Sequence, residues 1–404
     1  MFYKKKRIYF DYASATPVRR EALRAYEKAS RLVGNPGSIH AEGVAAKQSL
    51  EQSRQIIAAE LGCKAREIIF TSGLTEANNL AISGFARALE ISGKDIKGTH
   101  WIVSSIEHPS VLECFGEVER KGGTVSHVDP DGLGRIAPER LKRALRENTV
   151  YVSIGWANSE IGTVQKLRTL AGVIREHEKE FGTPVIMHTD AGQAPLYLAP
   201  NVHTLEVDLF SLGSGKLYGP RGTGALYVGK RASLAPVIIG GGQERGLRAG
   251  TEAPALAAGF AAALVAVGKE RTDESKRLSE LRDILLKKIT GSITGVILNG
   301  GLSHSLPHML NVSIPNIQSE YVVLALDREG VALSTKAACS EGTVSASRVV
   351  AAICGDEEQK GWRAQNTLRF SLGKDTTMRD IEYAAKTLSN VLKTMPLSDE
   401  RLVL

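Results

Sequence analysis

The chain alternates short β-branched segments with helical segments through residue 228, and this alternation limits the possible folds more than any other feature. Seven segments have the composition of strands, at 67–70, 100–104, 124–128, 150–154, 185–188, 207–211 and 224–228. Helical stretches lie between several of them, at 75–89, 109–120, 138–146 and 167–179. Strands that alternate with helices are typical of an α/β domain. The sequence therefore predicts a seven-stranded, mostly parallel sheet.

After residue 268 the alternation gives way to a mixed α+β pattern. An alanine-rich apolar segment at 253–268 is short for a membrane span, so it is predicted to be a buried helix. Further helices are predicted at 273–290, 319–328 and 379–393, and extended segments near 296–298, 310–314, 331–334 and 367–371. Because 404 residues exceed one ordinary domain, we expect two. The predicted division is an N-terminal segment at 1–17 that packs with the small domain, a large α/β domain at 18–258 and a small α+β domain at 259–404.

Charge and cysteine content argue against several classes of protein. The net charge is +7, but no basic stripe is interleaved with aromatic residues, so a nucleic-acid partner is not expected. The four cysteines are far apart and form no CxxC pair, which argues against a metal site and a disulfide framework. Isolated cysteines and an N-terminus without an apolar signal core indicate a cytoplasmic protein that does not use a membrane.

Polar residues follow several of the predicted strands. They lie in the segment 71–75 and at His108, Asn158, Asp190 and Lys216. Ligands of open parallel sheets bind beyond the carboxyl ends of the strands. We therefore expect these side chains to converge on one site.

Lys216 follows Asp190 by about two dozen residues, and each comes after a predicted strand. This is the arrangement of an enzyme that holds pyridoxal phosphate (PLP) as a Schiff base, in which the lysine bonds the aldehyde and the aspartate keeps the pyridine nitrogen protonated. The run 213–216 also resembles part of an ATP-binding P-loop. Phe210 and Leu217 stand where that motif needs a glycine and a Ser or Thr, so the P-loop is rejected.

Three features near the predicted strand ends have two interpretations each. The turn 71–75 opens a helix whose free N–H groups and Thr75 hydroxyl suit a phosphate, although it could be an ordinary helix cap. His108 could stack on a flat cofactor and move protons, or it could be structural. Asn158 could donate to a substituent of a bound ring, or it could belong to a polar turn.

Three further features point to chemistry outside these strand ends. Arg369 lies within an apolar strand and needs a partner, which is either a substrate carboxylate or an acid of the chain itself. Cys339 lies in the small-residue stretch 334–343, where a thiol is exposed and can react. The glycine- and arginine-rich segment 240–251 indicates a rigid loop that binds an anion or crosses a subunit boundary, with a surface turn as the alternative.

Together these motifs resemble those of the cysteine desulfurases of the NifS/IscS type, which are fold-type-I PLP enzymes of the class-V aminotransferase family. The likeness covers 9–17, 34–38, TSGLTEANN at 71–79, the His108 and Asn158 motifs, HTDAGQ at 188–193, KLYGPRGTGALYV at 216–228, GGGQERGLRAGT at 240–251, the Cys339 loop and RFSLG at 369–373. It implies a fold-type-I PLP-dependent transferase with a large PLP-binding domain and a small domain that carries Cys339.

For the cofactor, the resemblance implies a role for each matching residue. Lys216 would form the Schiff base, Asp190 would pair with the pyridine nitrogen, and Gln193 would pair with the ring hydroxyl. His108 would stack on the ring and take part in proton transfer. Asn158 would contact the hydroxyl side of the ring.

The resemblance also implies how the phosphate is held. Leu74 and Thr75 would bind it through the backbone and a hydroxyl, and Thr251 would reach the phosphate of the partner subunit in a homodimer. The family commonly has Ser-x-His before the lysine, and both residues contact the phosphate. This chain has Gly213 and Gly215 there.

The two glycines imply weaker retention of PLP, and they leave two matters open. Ser214, with Ser211 as the alternative, is the expected stand-in for the missing phosphate ligands. Gly215 is either replaceable by a histidine that would recover part of the binding, or required for a positive φ angle.

For the substrate, the resemblance implies that Cys339 attacks the sulfur of bound L-cysteine, which leaves a persulfide on the enzyme and releases L-alanine. Arg369 and Asn35 would hold the substrate carboxylate. The sulfur would pass to an acceptor such as an iron–sulfur scaffold protein, or serve tRNA thiolation. Open alternatives are a selenocysteine lyase, another PLP lyase or aminotransferase of this fold, and a PLP-poor sulfur-transfer scaffold. Cys339 favours the desulfurase, and the two glycines favour the scaffold.

Overall fold

The computed structural model describes residues 7–335, 346–355 and 357–394, and Cys339 lies outside them. The strands are β1 (Ile8–Tyr9), β2 (Ile68–Thr71), β3 (His100–Ser104), β4 (Thr124–Val128), β5 (Thr149–Ser153), β6 (Ile186–Asp190), β7 (Leu209–Gly213), β8 (Gly224–Val228), β9 (Ile297–Leu298), β10 (Met309–Ser313), β11 (Val331–Ala332) and β12 (Thr367–Ser371). The helices are α1 (Arg20–Ala29), α2 (Ala41–Leu61), α3 (Leu74–Ile91), α4 (Pro109–Arg120), α5 (Pro138–Ala144), α6 (Leu167–Phe181), α7 (Val202–Leu205), α8 (Pro254–Ser292), α9 (Ser319–Arg328), α10 (Arg348–Ile353), α11 (Glu357–Gln365) and α12 (Met378–Thr394).

Seven strands form one sheet in the order β2-β8-β7-β6-β5-β3-β4. Neighbours from β7 to β4 pair in parallel, whereas β8 runs antiparallel to both β2 and β7. The seven-stranded, mostly parallel sheet predicted from the sequence is confirmed. The predicted bounds match β3, β4 and β8, and those of the other four strands differ by one or two residues at either end.

Helix α3 packs against this sheet through its apolar face. Trp101 of β3 and Tyr151 of β5 stack with ring centroids 4.9 Å apart, and Phe85 of α3 packs against both rings. The Tyr151 hydroxyl also donates to Ala81 O at 3.0 Å. Because burial of aromatic rings is strongly favourable, these contacts hold α3 against the sheet.

The two helices predicted at 253–268 and 273–290 are one continuous helix, α8. The predicted break between the two helices is wrong. Residues 269–272 include no glycine or proline, and a change from apolar to charged composition does not end a helix. The first half of α8 packs on α1 and α2, and the helix also contacts α12. Its Ala257, Phe260 and Leu264 are buried, as predicted for the apolar segment.

The C-terminal part of the chain forms small sheets that the N-terminal segment joins. Strands β9, β10 and β12 make an antiparallel sheet, and β1 pairs in parallel with β11. Asp11 bridges to Ser371, the last residue of β12. The segment after β1 therefore lies beside β12 and leads towards the large sheet. Within the described ranges, none of the helices has the length and apolarity that a bilayer crossing requires.

Candidate active site

One cavity collects residues from the strand ends, from the N-terminal segment and from β12. Its lining includes eight of the residues predicted from the sequence, namely Leu74, Thr75, His108, Asn158, Asp190, Gln193, Lys216 and Arg369. Parallel strands bring these side chains together because their carboxyl ends share one edge. Ala13, Ser14 and Glu107 also line it, and none of these three was predicted.

Asp190 ends β6, and two donors fix the position of its carboxylate. Gly192 N–H donates to Oδ1 at 2.8 Å, and Asn78 Nδ2 donates to Oδ2 at 2.7 Å. Asn78 is fully buried in α3 and also donates to Ser110 Oγ at 2.9 Å. Sequence reasoning missed Asn78, although its position one turn after Thr75 places both on one face of the helix.

Lys216 follows β7 through a short 3-10 turn, and its amine lies against the N-terminal segment. The amine donates to Ala13 O at 2.7 Å and to Ser14 O at 2.9 Å. Gln193 Nε2 donates to the same Ala13 O at 2.8 Å, whereas the buried Gln193 Oε1 has no hydrogen-bond partner among the described residues. Ala13 and Ser14 therefore form one wall of the cavity.

His108 caps α4, and this position decides which ring nitrogen can exchange a proton. The Ser110 backbone N–H donates to His108 Nδ1 at 3.1 Å, and Ser110 Oγ lies 2.8 Å from the same nitrogen. Burial lowers the pKa of the imidazole, so the neutral form is favoured. Because Nδ1 accepts a hydrogen bond, the proton of the neutral ring is on Nε2.

Glu107 is a second titratable group beside His108. Burial, with a smaller contribution from the nearby charge of Asp190, raises the pKa of its carboxyl to about 8. Gly155 N–H donates to Oε1 at 2.8 Å. The carboxyl is therefore predominantly neutral at pH 7, and it joins the end of β3 to the loop after β5.

Asn158 is held by its own loop. Its Oδ1 accepts the N–H groups of Glu160 and Ile161 at 2.8 and 3.0 Å, and its Nδ2 donates to Ile106 O at 3.0 Å. The polar turn that the sequence left open as an alternative is therefore present. One hydrogen of Nδ2 is not used by these contacts, and Asn158 still lines the cavity.

Arg369 is 1% exposed within β12 and has an acidic partner in the chain. Its Nη2 donates to Asp11 Oδ1 and to Ser14 Oγ, both at 2.7 Å, and its Nη1 donates to Ser159 O at 3.1 Å. The internal ion pair left open by the sequence is thus present, and the guanidinium also lines the cavity. Asp11 was not predicted as a site residue.

The start of α3 has the features of a phosphate seat. Gly73 precedes the helix and makes no side-chain cap, so the N–H groups of Leu74 and Thr75 point away from the helix without an intrahelical acceptor. The Leu74 side chain covers two glycines. A Cβ added at Gly213 would lie 2.9 Å from Leu74 Cβ, and one added at Gly192 would lie 2.5 Å from Leu74 Cδ2.

The structure answers the two matters left open at the glycines. Gly213 has φ −129°, and Gly215 is not among the positive-φ residues of the described chain, so neither needs glycine for its backbone. Ser214 does not line the cavity, because its buried Oγ lies beside Gly219. Ser211 Oγ is engaged with His188 Nε2 at 2.9 Å. Neither serine therefore lines the cavity in this structure.

Two further predicted residues lie outside the cavity. Asn35 is exposed, and its Oδ1 accepts the N–H of Gly37 at 2.8 Å. Thr251 is exposed at the end of the loop 240–251. Within a single chain the structure therefore does not bring these two residues to the site.

The residues that line the cavity fit PLP. A lysine amine, a fixed carboxylate and a helix start with free N–H groups match its aldehyde, its ring nitrogen and its phosphate. The unpartnered Gln193 Oε1 is a buried acceptor that a ring hydroxyl would satisfy. The site thus offers one partner for each polar group of the cofactor.

Comparison with known proteins agrees with this geometry. The sequence profile described as aminotransferase class-V matches residues 8–384. The cysteine desulfurase IscS of Dictyoglomus turgidum is 39% identical and covers 97% of this chain and 96% of its own length. The putative cysteine desulfurase IscS 1 of Bacillus subtilis is 36% identical, with coverage of 96% and 100%.

Solved structures give the same result. A NifS-like protein superimposes with a TM-score of 0.87 at 32% identity, covering 96% of this chain and all of the other. The structure described as SspA in complex with cysteine has a TM-score of 0.76 at 34% identity, covering 90% and 98% of the two chains. The chain belongs to the class-V aminotransferase family and, within it, to the PLP-dependent cysteine desulfurases of the NifS/IscS type.

Proposed function

We propose that this protein converts L-cysteine to L-alanine and carries the removed sulfur as a persulfide on Cys339. The observation that supports the proposal most strongly is that Lys216, Asp190 and Arg369 line one cavity. They supply an amine for the aldehyde of PLP, a carboxylate for its ring nitrogen and a cation for a substrate carboxylate.

PLP, when bound, supplies an electron sink for negative charge that develops on the substrate. The protein's own groups hold and orient it. The Lys216 amine would be the covalent attachment point, and the Asp190 carboxylate would keep a proton on the ring nitrogen. Asn78 and Gly192 hold that carboxylate in one position.

Proton movement falls to His108 and Lys216. His108 Nδ1 accepts the Ser110 N–H, so the neutral imidazole carries its proton on Nε2 and can donate it from that atom. The Lys216 amine lies in the same cavity and is the second group able to move a proton near the substrate.

The sulfur-transfer step requires a thiolate. The Cys339 sulfur attacks the substrate sulfur, an S–S bond forms, and the substrate's C–S bond breaks. The electron pair of that bond stays on the substrate carbon, which takes up a proton, and the fragment leaves as alanine. A reductant then releases the sulfur as sulfide, or an acceptor protein takes it. We expect an iron–sulfur scaffold protein or a tRNA-thiolation partner as that acceptor, in the cytoplasm.

We further propose a homodimer in which Asn35 and Thr251 complete the partner's site. Both are exposed, and strongly exposed apolar side chains lie near each of them in the chain. Val33 and Ile39 are 87% and 98% exposed, and Ile239 is 71% exposed. Exposed apolar patches mark protein–protein contacts. Sedimentation should find a dimer, and a fully active monomer would contradict this proposal.

Three assays separate this function from its alternatives. A PLP chromophore that hydroxylamine bleaches would exclude a PLP-poor scaffold. Sulfide and alanine release from L-cysteine with a reductant would exclude an aminotransferase. A comparison of turnover with L-cysteine and L-selenocysteine would distinguish a desulfurase from a selenocysteine lyase, and strong preference for selenocysteine would overturn the proposal.

A further inference from the structure

The contacts of Arg369 limit how a carboxylate can bind it. A guanidinium carries five N–H groups, and a carboxylate can bind two of them side by side through either Nε with Nη2 or Nη1 with Nη2. Both pairs include Nη2. In this structure Nη2 already donates to Asp11 Oδ1 and to Ser14 Oγ. A two-pronged contact with a substrate therefore has to displace one of these acceptors.

Of these two acceptors, Asp11 competes more strongly with a substrate carboxylate for Nη2, because Asp11 is charged. Ser14 is neutral and also donates its hydroxyl to Asp11 Oδ1 at 2.8 Å. Among the described residues, Asp11 is the only acid in an ion pair with Arg369. The carboxylate is mostly shielded from water, with 20% of the Asp11 side chain exposed. A substrate carboxylate at Arg369 would therefore share one guanidinium with a second negative charge.

We propose that Asp11 is a specificity-determining residue that competes with the substrate's carboxylate for Arg369 and so weakens its binding. The inference rests on the proposed role of Arg369 as the carboxylate site. Asp11 keeps the buried guanidinium compensated and oriented while no substrate is present. The carboxylate of a bound amino acid then replaces Asp11 at Nη2, instead of binding a guanidinium that has no other acidic partner.

The test compares two ligands that differ in the carboxylate. L-Alanine and L-alaninamide are titrated into PLP-loaded protein, and binding is followed by the change in the cofactor's visible spectrum. Asp11→Asn keeps an oxygen acceptor for Nη2 and removes the charge. It should bind L-alanine about threefold to tenfold more tightly than the wild type, because the repulsion between two carboxylates is gone. Affinity for L-alaninamide should change less than twofold by the same reasoning, about the error of the titration.

Controls separate this inference from the proposed function. Asp283→Asn removes an exposed carboxylate paired with Arg282 far along α8, and it should leave both affinities unchanged. Arg369→Gln tests the carboxylate site itself. If it keeps the preference for L-alanine over L-alaninamide, the role of Arg369 is wrong, whatever Asp11 does.

Suppose that Arg369→Gln shows that Arg369 binds the carboxylate. If Asp11→Asn then binds L-alanine no more tightly than the wild type, the inference is wrong, and Asp11 only supports Arg369. The wild type provides a measurement that does not depend on folding of a variant. Its preference for L-alanine over L-alaninamide should stay below about tenfold, because a compensated guanidinium attracts a carboxylate only weakly. A preference of a hundredfold or more would also overturn the inference.

Discussion

Ser334 and Arg369 exchange two backbone hydrogen bonds. Arg369 N–H donates to Ser334 O at 2.7 Å, and Ser334 N–H donates to Arg369 O at 3.3 Å. The Thr367 hydroxyl donates to Thr335 O beside this pair. Cys339 follows Thr335 by four residues, which can span at most about 14 Å. The segment that leads to the thiol therefore starts beside the strand that carries Arg369.

The first prediction concerns that thiol. Cys339→Ser should retain PLP and bind L-cysteine, since Cys339 is not needed for either, but it should release no sulfide. Cys63→Ser is the matched control, because Cys63 is a partly buried cysteine that follows α2 and does not line the cavity. Sulfide release by Cys339→Ser at the wild-type rate would assign the sulfur carrier to another residue.

The second prediction concerns the support of Asp190 by Asn78. Asn78→Ala removes a buried hydrogen bond to a carboxylate, a loss of about 1–3 kcal/mol, so PLP should bind about fivefold to a hundredfold more weakly. Spectrophotometric PLP titration measures the change. Asn79→Ala, which removes an exposed contact to Thr75 O on the same helix, serves as control. Equal PLP affinity in the two variants would show that Asn78 does not matter for the ring site.

The third prediction concerns the missing phosphate ligands. Gly215→His should bind PLP about fivefold to a hundredfold more tightly than the wild type, because the backbone accepts a side chain and an imidazole adds a donor. The new Cβ would lie 3.2 Å from Arg221 Cγ, on a flexible side chain that can move. Unchanged or weaker PLP affinity in a folded variant would show that the backbone already replaces the lost contact.

Gly213 should behave differently from Gly215. Gly213→Ser places its Cβ 2.9 Å from Leu74 Cβ, so it should weaken PLP binding when introduced alone. The double variant Gly213→Ser with Leu74→Gly should recover that loss, because glycine lacks the Cβ that the new side chain meets. Additive effects of the two changes in PLP titrations would contradict the coupling between Leu74 and Gly213.

The fourth prediction follows from the raised pKa of Glu107. The folded protein keeps a proton on this carboxyl up to about pH 8, whereas the unfolded chain releases it near its ordinary value of 4.5. The unfolded state therefore binds fewer protons across this window, and the wild type loses stability as the pH rises. Relative to Glu107→Gln, the wild type should lose free energy of unfolding at up to roughly 1.4 kcal/mol per pH unit.

Denaturant unfolding at pH 5 and pH 8 tests this linkage. Compared with the wild type, Glu107→Gln should have a higher free energy of unfolding at pH 8 and a similar one at pH 5. Glu139→Gln, at an exposed glutamate of α5, should follow the wild type at both. A stability difference between Glu107→Gln and the wild type that does not vary with pH would contradict the neutral carboxyl.

The sequence predicts the sheet well because its strands are short, β-branched and bounded by polar turns, so β3, β4 and β8 have the predicted bounds. It also places Asp190 and Lys216 together, since parallel strands end at one edge. The contacts of Asn78 and Asp11 could not be predicted in the same way. Their partners are 112 and 358 residues away along the chain, and only the folded chain brings them together.

The most direct test of the central claim is a single turnover of L-cysteine labelled at sulfur, without a reductant. The wild type should release L-alanine and retain the label on the Cys339 peptide, as read by mass spectrometry, and Lys216→Ala should do neither. Release of pyruvate or free sulfide without alanine, or label found only on Cys63, Cys114 or Cys354, would contradict the assignment of this chain as a cysteine desulfurase that uses Lys216 and Cys339.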